Sequence, residues 1–215
     1  MRNGSIEAVI FDLGGVLIEY DFNRAFEQAG HLTGQPALAI RRRMFGKDYG
    51  AGFASNHPII GFELGAITSR EFHRRIEGLL GHPLPYGAFQ ELWNGIFTNE
   101  VAPTVALVGK LQQRPGLKVG VLSNTNALHM AYLRRRMTIL RELKYVYASN
   151  EIRRRKPDAA CFQHVFKKMK VQPRRTVFID DFAENVNAAA ALGAQVIHAT
   201  GPEVVRTGLA RLGLF

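Results

Sequence analysis

The sequence predicts an α/β protein built on a doubly wound, mainly parallel sheet, with a helical insert after the first strand. Three observations carry this. Short apolar runs alternate with helix-length stretches over most of the chain, and strands separated by helices need crossover connections, which give parallel sheets covered on both faces. Residues 20–99 break that alternation. Acidic, amide and hydroxyl residues stand directly after the apolar runs, at the sheet edge where ligands of such folds collect.

In chain order, IEAVIF (6–11) reads as a buried strand, LKVGVL (117–122) as a second, YVYAS (145–149) as a short third, TVFID (176–180) as a fourth and AQVIHA (194–199) as a fifth. Helices are expected over 103–114, 126–136, 158–170 and 183–192. In the third of these Phe162, Val165, Phe166 and Met169 recur at i, i+3, i+4 and i+7, which places them on one helical face. Residues 20–99 read as several amphipathic helices without a strand. They are punctuated at Gly34-Gln35-Pro36, Gly46, Gly50 to Gly52 and Gly81-His82-Pro83. Thr68-Ser69-Arg70-Glu71, ahead of Phe72 and Ile76, is a capping box that marks a helix start. Residues 1–19 and 100–215 are therefore expected to form one α/β core, and residues 20–99 a cap over its ligand-binding edge. No internal repeat or low-complexity linker interrupts the chain.

At 215 residues, 47% of them hydrophobic, the chain can bury a core without staples. Its single cysteine, Cys161, allows no internal disulfide and no CxxC metal cluster, which suits a reducing cytosol. MRNGSIEAV lacks a signal-peptide apolar region, and no apolar run approaches the roughly 20 residues that span a bilayer. The expectation is a soluble, cytoplasmic protein without membrane partners. Lys and Arg number 28 against 18 Asp and Glu, for a net charge of +10. The excess is bunched at Arg41 to Arg43, Arg134 to Arg136, Arg153 to Lys156 and Lys167 to Arg175. Such a balance can serve nucleic acid, an anionic surface or a small phosphorylated substrate. The arginine triplets have no interleaved aromatics and no groove-reading motif, so they read as solvated helix faces rather than a nucleic-acid site.

The strand ends carry the chemistry. Asp12 follows the first apolar run, Ser123-Asn124 the second and Asp180-Asp181 close the fourth, while Lys156-Pro157 precede the helix at 158. Three carboxylates, one lysine and one hydroxyl would thus converge at one edge. Buried carboxylates at such close quarters need a compensating cation. Mg²⁺ suits them, because it takes one or two protein carboxylates and accepts phosphate oxygens. A lysine and a hydroxyl add charge and hydrogen bonds for a phosphoryl group.

FDLGGVL, VLSNTN, RRKPD and FIDDFAEN resemble, in order, the four motifs of the haloacid dehalogenase superfamily of phosphatases. The match spans essentially the whole chain, with the insert where that superfamily carries its first type of cap on a Rossmann-like core. FDLGGVLIEYDFNRAF, VLSNTNALH, RKPD and VFIDDFAEN are similar, more narrowly, to bacterial α-D-glucose-1-phosphate phosphatases and, more distantly, to the phosphatase domain of soluble epoxide hydrolases. The resemblance implies a Mg²⁺-dependent phosphomonoesterase acting on a small phosphorylated metabolite, with a sugar phosphate the leading candidate. It implies that Asp12 is the nucleophile and forms an aspartyl-phosphate, that Ser123 and Asn124 bind the phosphoryl group, and that Lys156 balances its charge. Asp12, Asp181 and the backbone carbonyl of Gly14 would hold Mg²⁺, with Asp180 and Asn185 acting behind them. A carboxylate nucleophile splits phosphate hydrolysis into two easier displacements, in agreement with the residues themselves.

Gly14 departs from the superfamily pattern. Most of its phosphatases resemble Asp-x-Asp at the first motif, where the second acid protonates the leaving group, an assistance typically worth ~10²–10⁴-fold. The sugar-phosphatase relatives resemble this chain in having Gly there, and the dehalogenases usually resemble Asp-x-Tyr, so Gly14 counts against halide chemistry. It also supports a second reading, a catalytically weakened protein that binds a phosphorylated ligand for regulation. Outside the motifs, His164 reads as a helix-surface or satisfied core histidine and Trp93 as core packing rather than a substrate contact. Oligomeric state, natural substrate and the role of residues 46–58 are not legible in the sequence.

Overall fold

A computed structural model describes residues 5–45 and 57–215. The turn signals at Gly46 and at Gly50 to Gly52 lie outside the described residues. In chain order the elements are β1 (Ala8–Phe11), β2 (Ile18–Tyr20), α1 (Phe22–Thr33), α2 (Ala37–Phe45), α3 (Pro58–Glu63), α4 (Ser69–Leu80), α5 (Tyr86–Asn94) and β3 (Phe97–Glu100). They continue with α6 (Ala102–Gln112), β4 (Lys118–Ser123), α7 (Ala127–Arg136), α8 (Thr138–Glu142), β5 (Tyr145–Ala148), α9 (Ser149–Ile152), α10 (Ala159–Met169), β6 (Thr176–Asp180), α11 (Ala183–Ala191), β7 (Gln195–His198) and α12 (Pro202–Arg211).

The five expected strands form one parallel sheet in the order β5-β4-β1-β6-β7. Strand periodicity divides its side chains between two cores. Val9, Phe11, Val121, Val177 and Ile179 point to one face, and the hydrophobic cluster there runs without a break into Phe72, Phe89 and Trp93 of residues 20–99. Ala8, Ile10, Leu122 and Phe178 point to the other. That second face is covered by α10, whose Phe162, Val165, Phe166 and Met169 are all buried in it, as their spacing requires. Among the described residues no helix is long and apolar enough to cross a membrane.

Two features differ from the sequence reading. Tyr20 and Phe97 to Asn99 were expected outside any strand, yet β2 and β3 pair antiparallel as a two-stranded ribbon. Strands of three and four residues are too short for alternation to register, and FTNE is mostly polar. The ribbon is extended by Asp21 N–H to the Ile96 carbonyl (2.8 Å) and Val101 N–H to the Leu17 carbonyl (2.9 Å). It therefore ties together the two points where the chain leaves and re-enters the sheet. The capping box forms only in part. Thr68 Oγ1 accepts from Glu71 N–H at 3.2 Å, but the Glu71 carboxylate is bonded to Arg75 (2.5 Å).

Candidate active site

The register of the sheet sets the site. Phe11 is level with Val121 on one side and Ile179 on the other, and Asp12 N–H continues the ladder to the Ile179 carbonyl at 2.7 Å. Asp12, Ser123 and Asp180 therefore emerge side by side at the carboxyl ends of three adjacent strands. Lys156 reaches them from the loop before α10. Its Nζ lies 2.9 Å from Asp12 Oδ1 and 2.6 Å from Asp180 Oδ2, with the lysine 1% and Asp180 0% exposed. A lysine so enclosed keeps its charge because the two carboxylates hold its pKa above the ordinary value against the opposing effect of burial.

The carboxylates outnumber the ammonium. Oxygens of Asp12, Asp180 and Asp181 lie within 4.8 Å of one another. Burial, offset in part by Lys156 and reinforced by Asp180 and Asp181, pushes the Asp12 carboxyl up to about 7. Burial and Asp180 push Asp181 up to about 6. Asp181 Oδ1 is also buried without a hydrogen-bond partner. An orphaned anionic oxygen beside two more carboxylates fits a hard divalent cation, which would relieve both the repulsion and the unpaired atom. Asp180 is differently placed. Its oxygens accept from Lys156, from Phe182 N–H (2.8 Å) and from the Asn185 amide (3.0 and 3.1 Å), so it is saturated by the protein.

Asn124 also has a structural task at this edge. Its side-chain amide donates to the Lys156 carbonyl and accepts from the Lys156 N–H, both at 2.8 Å. The amide thereby holds the lysine's backbone through both of its ends and keeps a second N–H on its nitrogen. Ser123 is buried at the end of β4 and lines the same cavity as Asp12, Gly14, Lys156 and Asn185.

Sequence reasoning missed several participants. Gly15 has φ 71°, and a Cβ there would stand 2.2 Å from Asp181 Oδ2, so the second glycine lets the chain turn against that carboxylate. The doubled glycine was its only signal. Gly14 is not in the left-handed region, and a Cβ on it would meet the Tyr20 ring at 3.1 and 3.2 Å. Ser149, fully buried, exchanges two 2.9 Å hydrogen bonds with the Thr125 backbone and pins the loop after β4. His198 contacts the Asp181 carbonyl at 2.9 Å. Of the two residues weighed outside the motifs, His164 is half-buried on α10 and absent from the cavity wall. Trp93 packs against Phe72 and Phe89 and also lines the cavity.

The comparisons with known proteins agree with this arrangement. A family model described as haloacid dehalogenase-like hydrolase matches residues 6–193. A phosphatase from Mycobacterium tuberculosis is 30% identical over 212 residues, covering 96% of this chain and 93% of the relative. D-ribitol-5-phosphate phosphatase from Bacteroides thetaiotaomicron is 26% identical over 198 residues, covering 87% of this chain and 89% of the relative. A solved enzyme of this family from the same organism, in complex with magnesium and inorganic phosphate, has a TM-score of 0.76 at 26% identity, covering 89% of this chain and 93% of that one. With its family model matched over most of its length and its motif residues gathered at one sheet edge, the chain belongs to the haloacid dehalogenase-like hydrolases.

Proposed function

We propose that this phosphatase hydrolyses small phosphomonoesters through an aspartyl-phosphate on Asp12, with Mg²⁺ as its metal. The observation that carries the reading is the buried Lys156 ammonium clasped between Asp12 and Asp180, with the unpartnered Asp181 oxygen beside them. Asp12, Asp181 and the Gly14 carbonyl would hold the ion. Bound there, Mg²⁺ would neutralise charge on the carboxylates and on the phosphoryl oxygens. Asp12 attacks phosphorus, its carboxylate oxygen forming the new P–O bond while the bond to the alcohol oxygen breaks and that oxygen takes a proton from solvent water. Lys156 and Ser123 receive the phosphoryl oxygens, and Asn124 keeps Lys156 in register. Asp180, saturated by Asn185 and the Phe182 N–H, holds the other side of the lysine. Water then displaces the carboxylate from phosphorus and returns a proton to solvent, giving inorganic phosphate and free Asp12.

Relatives named as phosphatases and a solved neighbour holding magnesium and phosphate support phosphomonoester hydrolysis and the metal. The weakened-binder reading rests on Gly14 alone, and no feature of the site favours it. Asp12→Asn keeps the side chain's shape and removes its nucleophilic charge. Mg²⁺-dependent phosphate release should disappear, and a crystal of the wild type grown with beryllofluoride should show the anion bonded to Asp12. Release by Asp12→Asn at the wild-type rate would sink the covalent mechanism.

A further inference from the structure

The cavity above the strand ends has a volume of about 440 Å³, within the range of sites for small molecules. Its two sides differ in chemistry. The sheet side presents the phosphoryl-handling groups Asp12, Ser123 and Lys156. Among the described residues, the 20–99 segment lines it with Tyr20, Phe22, Ile59, Trp93, Ile96 and Phe97, and with one charged residue, Glu63. Glu63 is committed to Arg155, which approaches it at 2.9 and 3.1 Å.

Three polar residues next to the aromatic wall, Trp93, Asn126 and His129, bond to one another. Trp93 Nε1 faces Asn126 Oδ1 at 3.4 Å, and the same oxygen accepts from His129 N–H at 3.1 Å. The His129 ring contacts the Asn126 amide at 3.0 Å and the Trp93 carbonyl at 2.9 Å. Burial holds its pKa down at about 4, so the imidazole is neutral, with one nitrogen accepting and the other donating. A polyol entering this half would exchange hydrated hydroxyls for rings and aliphatic side chains, and a buried hydroxyl without a partner is costly. A hydrocarbon gains from the same surroundings.

Resting on the phosphatase reading above, we propose that the insert side of the cavity is a subsite for an apolar alcohol. The enzyme thus prefers monoesters of aliphatic or aromatic alcohols to polyol or sugar phosphates. This class differs from the sugar phosphate expected from the narrower sequence resemblance.

The test uses leaving groups of one kind, so that the absent acid at Gly14 affects all of them alike. With Mg²⁺, kcat/KM is measured on ethyl, butyl and hexyl phosphate and on ribitol 5-phosphate, all esters of primary alcohols. It should rise about tenfold or more from ethyl to hexyl, well inside the roughly fourfold that each fully buried methylene can supply, and ribitol 5-phosphate should fall below hexyl. A flat series, or ribitol 5-phosphate above hexyl, overturns the subsite. Calorimetric binding of methyl- to hexylphosphonate to the Mg²⁺-loaded protein separates this from catalysis. Affinity that grows with length while no ester is hydrolysed would keep the subsite and reject the phosphatase mechanism. Phe22→Asn should cut the hexyl-to-methyl affinity ratio severalfold, and an unchanged ratio would show that the wall is misassigned.

Discussion

At the residue scale the site is a charge problem with one protein cation and three acids, and its members should fail in different ways. Asp181 has an unpartnered oxygen beside two other acids, and if it ligates the metal as proposed, Asp181→Ala should weaken Mg²⁺ binding and regain part of its turnover in excess Mg²⁺. Lys156→Ala leaves Asp12 and Asp180 facing each other in the interior, which typically costs about 3–5 kcal/mol of stability, and titrating Mg²⁺ should not restore its activity. Equal rescue of both variants would overturn the assignment. Gly14 makes a separate prediction. Its backbone needs no left-handed conformation, so what limits a side chain there is the Tyr20 ring at 3.1 Å, which can give by a few tenths of an ångström. Gly14→Asp should therefore fold. If an acid at this position assists departure, it should raise kcat/KM on an alkyl phosphate relative to p-nitrophenyl phosphate by about tenfold or more, because a phenolate leaves without a proton. An unchanged ratio in a folded, metal-binding variant would mean that another proton source already serves the leaving oxygen. The meeting of Asp12, Asp180 and Lys156 was legible because acids at buried strand ends are costly unless a cation meets them. The Asn124 clamp and the Gly15 contact were not, since each depends on an atom far away in the sequence.

At the scale of elements, the join between α5 and α7 concentrates polar contacts in an otherwise apolar interface. The Trp93 indole stacks on the His129 ring at 5.2 Å and 15°, and Asn126 caps α7 while bonding both. Phe97 of β3 meets the same imidazole edge-on at 4.8 Å. Burial lowers the His129 pKa from 6.5 to about 4, so the neutral ring belongs to the fold and the protonated ring to the unfolded chain. Its contribution is complete above the unfolded value and is lost as pH falls toward the folded one. Denaturant unfolding should therefore show wild type losing roughly 2 to 3 kcal/mol more than His129→Gln between about pH 7 and pH 4.5. Parallel pH profiles for the two proteins would show that His129 is not the group responsible. The β2–β3 ribbon is the other device at this scale. Neither was legible, since a ribbon of such short strands has no period and a histidine on an apolar helix does not name its partner.

At the scale of the whole molecule, the net charge is +10, and several of its arginines are held by neighbours within the fold. Arg134 is bonded to Glu151 at 2.7 and 3.1 Å, Arg136 to the Tyr132 hydroxyl and the Thr98 carbonyl, Arg43 to Gln35 and the Leu80 carbonyl, and Arg155 to Glu63. Arg175 is paired with Glu7. Mobility-shift titration with duplex DNA or RNA should accordingly show weak, sequence-independent binding that vanishes as salt is raised. Tight binding at physiological salt that survives further salt would revive the nucleic-acid reading. The sequence by itself determined the five-stranded parallel sheet, the face of α10 and the strand-end acids. Each of these follows from periodicity, or from the cost of placing a charge beside apolar backbone, and both are local properties that a short window records. Only the tertiary structure decided that Asn124 grips the backbone of the lysine, that Gly15 makes room for Asp181, and that Phe22, Trp93 and Phe97 line the cavity at the strand ends. Those outcomes depend on which distant atoms the close-packed interior brings within bonding distance, and packing of that kind is set by the whole chain at once.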